Sequence, residues 1–148
     1  IASGGALYPI DLYYIALHTE DLESGVYAYN PHYERLESWL HFASKEKLQR
    51  EVMKIFPPEI LGSWDIKMVS GIMLFVASLN RVACKYGDRG LRFALMDVGS
   101  ICQNLHLSAC CNHIACCAIG GYLDHEINRF MQFQEPNEQV LLTMFIGK

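Results

Sequence analysis

The strongest constraint in this 148-residue chain is one long window, Asp88 to about Cys111, in which apolar residues recur at helical spacing. Leu91, Leu95, Val98, Cys102, Leu105 and Ala109 predict a core-facing stripe on a single helix. Asp88 is placed to cap its start, and Asn112 or His113 to end it in a left-handed conformation. The flanking segments read differently. Ile10 to Leu17 is an aromatic and aliphatic strand candidate, while Gly25 to Tyr29 and Arg35 to Trp39 alternate around Asn30-Pro31 as a β-hairpin. Ser44 is placed to cap a helix from Lys45 to about Phe56, stopped by Pro57-Pro58. Ile72 to Ala77 is a compact apolar run that reads better as a buried strand than as a short helix, although periodicity alone does not decide. Ala115 to Ile119 reads as a strand ending in Gly120-Gly121, Asp124 to Phe133 as a short helix, and Val140 to Ile146 as a last strand. Elements mixed without strict βα alternation predict an α+β fold. No repeat or linker divides residues 1–148, so one domain is expected.

Apolar residues make up 51% of the chain and charged residues 19%, which excludes a disordered tail and predicts a sizeable core. A net charge of −4 argues against a nucleic-acid surface, because phosphate neutralisation needs clustered Lys and Arg. The longest apolar stretch, Met68 to Leu79, is too short and too broken by Ser and Gly to span a bilayer, so no membrane association is expected. The six cysteines fall inside element-forming stretches, two pairs of them adjacent, which predicts free thiols acting as small hydrophobes in the core. With no charged-then-apolar leader, the expected compartment is a reducing cytoplasm. Cys102, His106 and Cys110 share a helix face and have soft-ligand chemistry, yet no CxxC pair accompanies them. No metal site is expected.

Two strings stand out: Ser3-Gly4-Gly5-Ala6-Leu7-Tyr8-Pro9, and Lys85-Tyr86-Gly87-Asp88-Arg89-Gly90 followed by Arg92-Phe93-Ala94-Leu95, Gly99 and Gln103-Asn104-Leu105. Gly-rich segments permit close backbone approach to a phosphate or a flat ring, which Ser3, Gly4 and Gly5 offer at one place and Gly120 and Gly121 at another. Ordinary tight turns are the alternative reading of isolated glycine pairs.

In this order, and running from Ala2 to Gly147, the strings resemble the SagB/ThcOx-type dehydrogenases of the nitroreductase superfamily, and the oxidase domains of nonribosomal peptide synthetases. Two departures are visible: Ser100 stands where His is common, and Cys and His replace small residues near the second helix end. The resemblance implies a nitroreductase-like, mainly antiparallel sheet flanked by helices. It implies FMN as cofactor and oxidation of thiazoline or oxazoline rings in a peptide to thiazoles or oxazoles, with O2 reoxidising the flavin. It also implies a homodimer with flavin at its interface, working beside a cyclodehydratase complex or synthetase modules. Two alternatives are a nitroreductase-like NAD(P)H:flavin oxidoreductase and a flavin-free scaffold subunit of a peptide-modifying complex.

By the same resemblance, Lys85 and Tyr86 match the catalytic Lys-Tyr motif. Aromatising an azoline removes a hydride from one ring carbon and a proton from the former α-carbon, and the proton needs a base. Tyr and Lys ionise near 10 and 10.4 when unperturbed, so the role belongs to the pair, helped by a helix N-terminus expected near Asp88. Arg89 and Arg92 are candidates for flavin or an acidic peptide group, with pairing to Asp88 or Asp97 as the alternative. Gln103 or Asn104 is a candidate flavin contact, with hydrogen-bonded helix packing as the equal alternative. Lys148 stands where superfamily members often place a phosphate-binding basic residue; a frayed terminal Lys is the other reading. Family members carry a helix with an Arg/Ser-rich, phosphate-gripping motif before the Ser3–Pro9 segment. The chain begins at that later segment, so the expectation is a fragment, a processed chain or a reduced homologue lacking that helix.

Overall fold

A strand covered on both faces needs no polar alternation, and Gly71–Ser78 is such a strand, buried at Ile72 and from Leu74 through Ala77. The computed structural model describes residues 1–133 and 136–147. Their strands are β1 (Ile10–Ala16), β2 (Gly25–Asn30), β3 (Arg35–His41), β4 (Gly71–Ser78), β5 (Ala115–Ile119) and β6 (Glu138–Gly147). The helices are α1 (Lys45–Ile55), α2 (Pro58–Leu61), α3 (Leu79–Tyr86), α4 (Gly90–Cys111) and α5 (Asp124–Met131). The strands form one antiparallel sheet in the order β3-β2-β1-β4-β6-β5. The expected α+β, nitroreductase-like architecture is the one observed.

Each face of the sheet carries its own core. On one, Ile15, Ile72, Leu74 and Val76 meet Leu48, Val52 and Ile55 of α1 and Ile127 and Met131 of α5. On the other, Phe75 and Met144 meet Val98, with Ile101 and Leu105 of α4 around them. Phe56 and Phe75 are both at 0% exposure, worth about 1.5–3 kcal/mol each relative to leaving them in water. Ser44 caps α1 by accepting the Lys47 N–H at 3.2 Å, and the hairpin turns at Asn30, whose Oδ1 accepts the His32 and Tyr33 N–H groups.

Two expectations about the long helix need correction. It starts at Gly90, without a side-chain cap, and Asp88 lies instead in the 3-10 turn Gly87–Arg89. Its buried residues are Gly90, Ala94, Asp97 and Val98, whereas Leu91 and Leu95 are 45% and 50% exposed. The cause is α3, whose Leu79, Val82, Ala83 and Tyr86 recur at helical spacing over too short a run to be read as a separate helix. It packs so closely that a Cβ on Gly90 would lie 3.0 Å from Val82 Cγ2, which turns the small residues of α4 inward. The helix ends as expected, with His113 left-handed at φ 55°.

The cysteine expectation is corrected as well. All six thiols are free, but Cys84, Cys110 and Cys111 are exposed and Cys102, Cys116 and Cys117 half-buried. Among the described residues, no three His, Cys, Asp or Glu side chains come together as metal ligands; the His106 Nδ1 lies 2.9 Å from the Cys102 carbonyl oxygen. Cys110→Ala is therefore expected to change stability by no more than about 0.5 kcal/mol. Urea titration measures this; a loss of several kcal/mol would show that the thiol is buried after all. No helix among the described residues is long and apolar enough to cross a membrane.

Candidate functional site

Lys85 and Tyr86 occupy the last turn of α3. They stand at the C-terminal end of one helix, where the partial charge is negative, rather than at the N-terminus expected near Asp88. The Tyr86 ring is half-buried and leans on Phe93 of α4, with centroids 4.6 Å apart. The exposed Lys85 ammonium lies 5.5 Å from the Tyr86 ring centroid. Opposite them runs the Ser3–Pro9 segment. A Cβ on Gly4 would meet Phe93 Cγ at 3.2 Å. A Cβ on Gly5, where φ is +66°, would lie 2.5 Å from Tyr86 Oη and 2.8 Å from Lys85 Nζ. Both polar tips thus converge on the face of Gly5 that a side chain would occupy. Two motifs far apart in sequence meet at one point.

The segment that presents Gly5 is held in a costly conformation. Ala6 and Tyr8 are also left-handed, at φ 55° and 46°, without the freedom of glycine. Ser3 Oγ donates to Asp97 Oδ2 at 2.6 Å and accepts the Tyr8 N–H at 3.0 Å. Arg81 donates to the Tyr8 carbonyl at 3.0 Å while forking onto both Asp11 oxygens, at 3.0 and 2.5 Å. Beside this network lies a cleft of about 560 Å³, walled by Tyr8, Ile10, Leu12, Tyr29, Asp97 and Ile101. A larger cleft of about 810 Å³ sits at the other end of the sheet, by Tyr14, His18 and Ser70, and holds none of the expected site residues.

The remaining expected residues are dispersed. Arg89 and Arg92 are exposed, and neither forms an ion pair among the described residues, so the expected pairing with Asp88 or Asp97 is not made. Gln103 and Asn104 are both exposed on α4, which removes the hydrogen-bonded packing role. Gly120 and Gly121 stand apart from Gly5, in the β5–α5 connection. Gly121 approaches Ile60 of α2, while a Cβ on Gly120 would meet nothing within 4 Å. Lys148 lies outside the described residues. Asp97 and Arg81 are the site residues that the sequence reading did not place. A lone carboxylate between Ala94 and Val98 was the available signal, since a carboxylate on a buried face demands a partner.

Residues 1–148 match the family model described as Nitroreductase family. The chain belongs to the nitroreductase family. This nitroreductase-family chain is 28% identical to "Putative nitroreductase MJ1384" of Methanocaldococcus jannaschii, over 100% of its own length and 69% of that protein's. It is 31% identical to Microcin B17-processing protein McbC of Escherichia coli, over 98% of this chain and 52% of McbC. Among solved structures it superposes on a chain of the E. coli Microcin synthetase McbBCD complex with truncated pro-MccB17 bound, at TM-score 0.82 and 27% identity. That match covers 99% of this chain and 54% of the other, so the chain spans about half of the microcin-processing relatives it resembles.

Proposed function

We propose that this chain forms a single FMN-binding unit that dehydrogenates thiazoline or oxazoline rings in a peptide to thiazoles or oxazoles, in the cytoplasm. The observation that carries the reading is the convergence of Lys85 Nζ and Tyr86 Oη on Gly5. Similarity to McbC, a protein named for microcin processing, supports a peptide as substrate and a cyclodehydratase complex or synthetase modules as partners.

The residues that suit a flavin are the exposed Arg89 and Arg92, which form no ion pair among the described residues and can meet a phosphate, and the face of Gly5 that lacks a Cβ beside Tyr86 Oη; Gly120 stands apart from both. Ser3 would contribute through its backbone, because its hydroxyl proton goes to Asp97. Bound FMN supplies the hydride acceptor, with O2 as the terminal oxidant. The chain's own part is the proton: the Lys85–Tyr86 pair, one proton short between Nζ and Oη, takes a single proton from the ring's former α-carbon and returns it to solvent through the exposed Lys85. The Phe93 contact fixes the Tyr86 ring while this happens. Exposed Leu91, Leu95, Met96 and Leu107 leave an apolar face on α4, which supports a homodimer.

Visible absorbance of the purified protein after FMN addition and removal of unbound FMN by desalting, followed by anaerobic mixing with an azoline peptide or with NAD(P)H, tests the reading. Bleaching by the peptide and not by NAD(P)H is the expected result. Bleaching by NAD(P)H alone would establish a nitroreductase-like oxidoreductase, and no flavin absorbance would establish a scaffold.

A further inference from the structure

We propose that Asp97 is a positioning residue for this site, acting through the Ser3 hydroxyl to hold the Gly5–Tyr8 turn against the Lys85–Tyr86 pair. The proposal rests on the azoline-dehydrogenation reading for its kinetic consequence, but not for its geometry. Asp97 is 5% exposed and lies on the inward face of α4, an environment that retains a carboxylate only when it is hydrogen-bonded. Its bond to Ser3 Oγ, at 2.6 Å, has the length of a charge-assisted O–H···O contact.

Ser3 is a relay in both directions. Its proton goes to Asp97, its oxygen accepts the Tyr8 N–H, and its carbonyl accepts the Ala6 N–H at 3.0 Å. Those two N–H groups belong to the two non-glycine residues of this segment that are held at positive φ, Ala6 and Tyr8. Each is unfavourable alone and persists only where surrounding bonds over-determine it. Gly5 lies between Ser3 and Ala6 in the chain, inside the turn closed by the Ser3 carbonyl, and under Tyr86 Oη and Lys85 Nζ. One buried carboxylate on α4 thereby sets how closely the turn approaches the pair on α3. Asp97 does not reach Lys85 or Tyr86 itself. It acts through Ser3.

The test uses the full chain carrying a fluorotyrosine in place of Tyr86, read by fluorine NMR, together with azoline-oxidation kinetics of the otherwise unaltered protein. Ser3→Ala and Asp97→Ala are each expected to move or broaden the resonance, and Glu37→Gln on the edge strand β3 to leave it in place. In kinetics, each is expected to lower kcat by roughly 10- to 100-fold with KM little changed, as for a small misplacement of reacting groups. The double variant should be no worse than either single one, because both remove the same bond. Ser3→Thr, which keeps the hydroxyl, should restore most of the rate. Should Asp97→Ala fail to fold, the Ser3 pair decides alone. An unmoved resonance in Ser3→Ala, or additive losses in the double variant, would overturn the linkage. A moved resonance in a protein that oxidises no azoline would support the linkage and overturn the azoline reading instead.

Discussion

Tyr86→Phe is expected to lower azoline dehydrogenation by about 10²- to 10⁴-fold, the usual contribution of a positioned acid–base group, and to leave flavin occupancy close to that of the unaltered protein. Phenylalanine keeps the ring and hence the 4.6 Å packing on Phe93, so only Oη is lost. Lys85→Ala is expected to give a loss in the same range. Its exposed side chain contributes little packing, which separates the chemical effect from a folding effect. The measurement is mass spectrometry of the peptide for loss of H2 per ring, alongside flavin occupancy by absorbance. Unaltered rates in both variants would remove the pair from the mechanism.

Gly5→Ala reaches the same pair from the other side. At φ +66° a Cβ costs about 1–2 kcal/mol of backbone strain. It would also lie 2.5 Å from Tyr86 Oη and 2.8 Å from Lys85 Nζ. The atoms it meets are the ends of side chains, not backbone, so the pair yields before the fold does. Displacing reacting groups by about 1 Å can cost 10²-fold in rate, and a loss of that order is expected here. Gly62→Ala is the control for strain without collision. At φ 59° and ψ −112° it is more strained for a side chain than Gly5 at ψ 17°, yet a Cβ there meets nothing within 4 Å, so it should cost at least as much stability and no activity. Thermal melts and turnover rates for the two variants separate strain from collision. Equal activities would show that the Lys85–Tyr86 tips do not need the space above Gly5.

The strands were legible because their signals are local. Alternation around Asn30-Pro31, the Ser44 cap and the uninterrupted Ile72–Ala77 run each follow from neighbouring residues, and all form as read. What was not legible depends on packing between elements. Helix α3 follows β4 with no loop, and Ser78 at its start gives no cap. Its hydroxyl donates to Asp11 Oδ2 at 3.2 Å instead. The stripe on α4 holds at Val98, Cys102 and Leu105 and fails at Leu91 and Leu95, because periodicity identifies an amphipathic helix without saying which neighbour claims its first turns. Here Val82 selects Gly90 and Ala94 over Leu91 and Leu95. The Lys85–Tyr86 and Ser3–Gly5 strings were visible individually. That they meet follows from the placement of α3, which no string encodes.

The pairing of β4 also bears on how the chain acquires its structure during synthesis. Ile10 pairs with Ala77 and Gly71 with Ile146, so the most buried strand draws its two neighbours from opposite ends of the described sequence. A ribosome releasing this chain exposes β1 to β3 first, with one edge of β1 unpaired until β4 emerges. β4 then stays open along its other edge until β6 has been made. Non-local ladders of this kind fold slowly, and an apolar half-sheet with a bare edge is a target for misassociation. The nascent chain therefore passes through a stage at which its most buried strand is paired along one edge only.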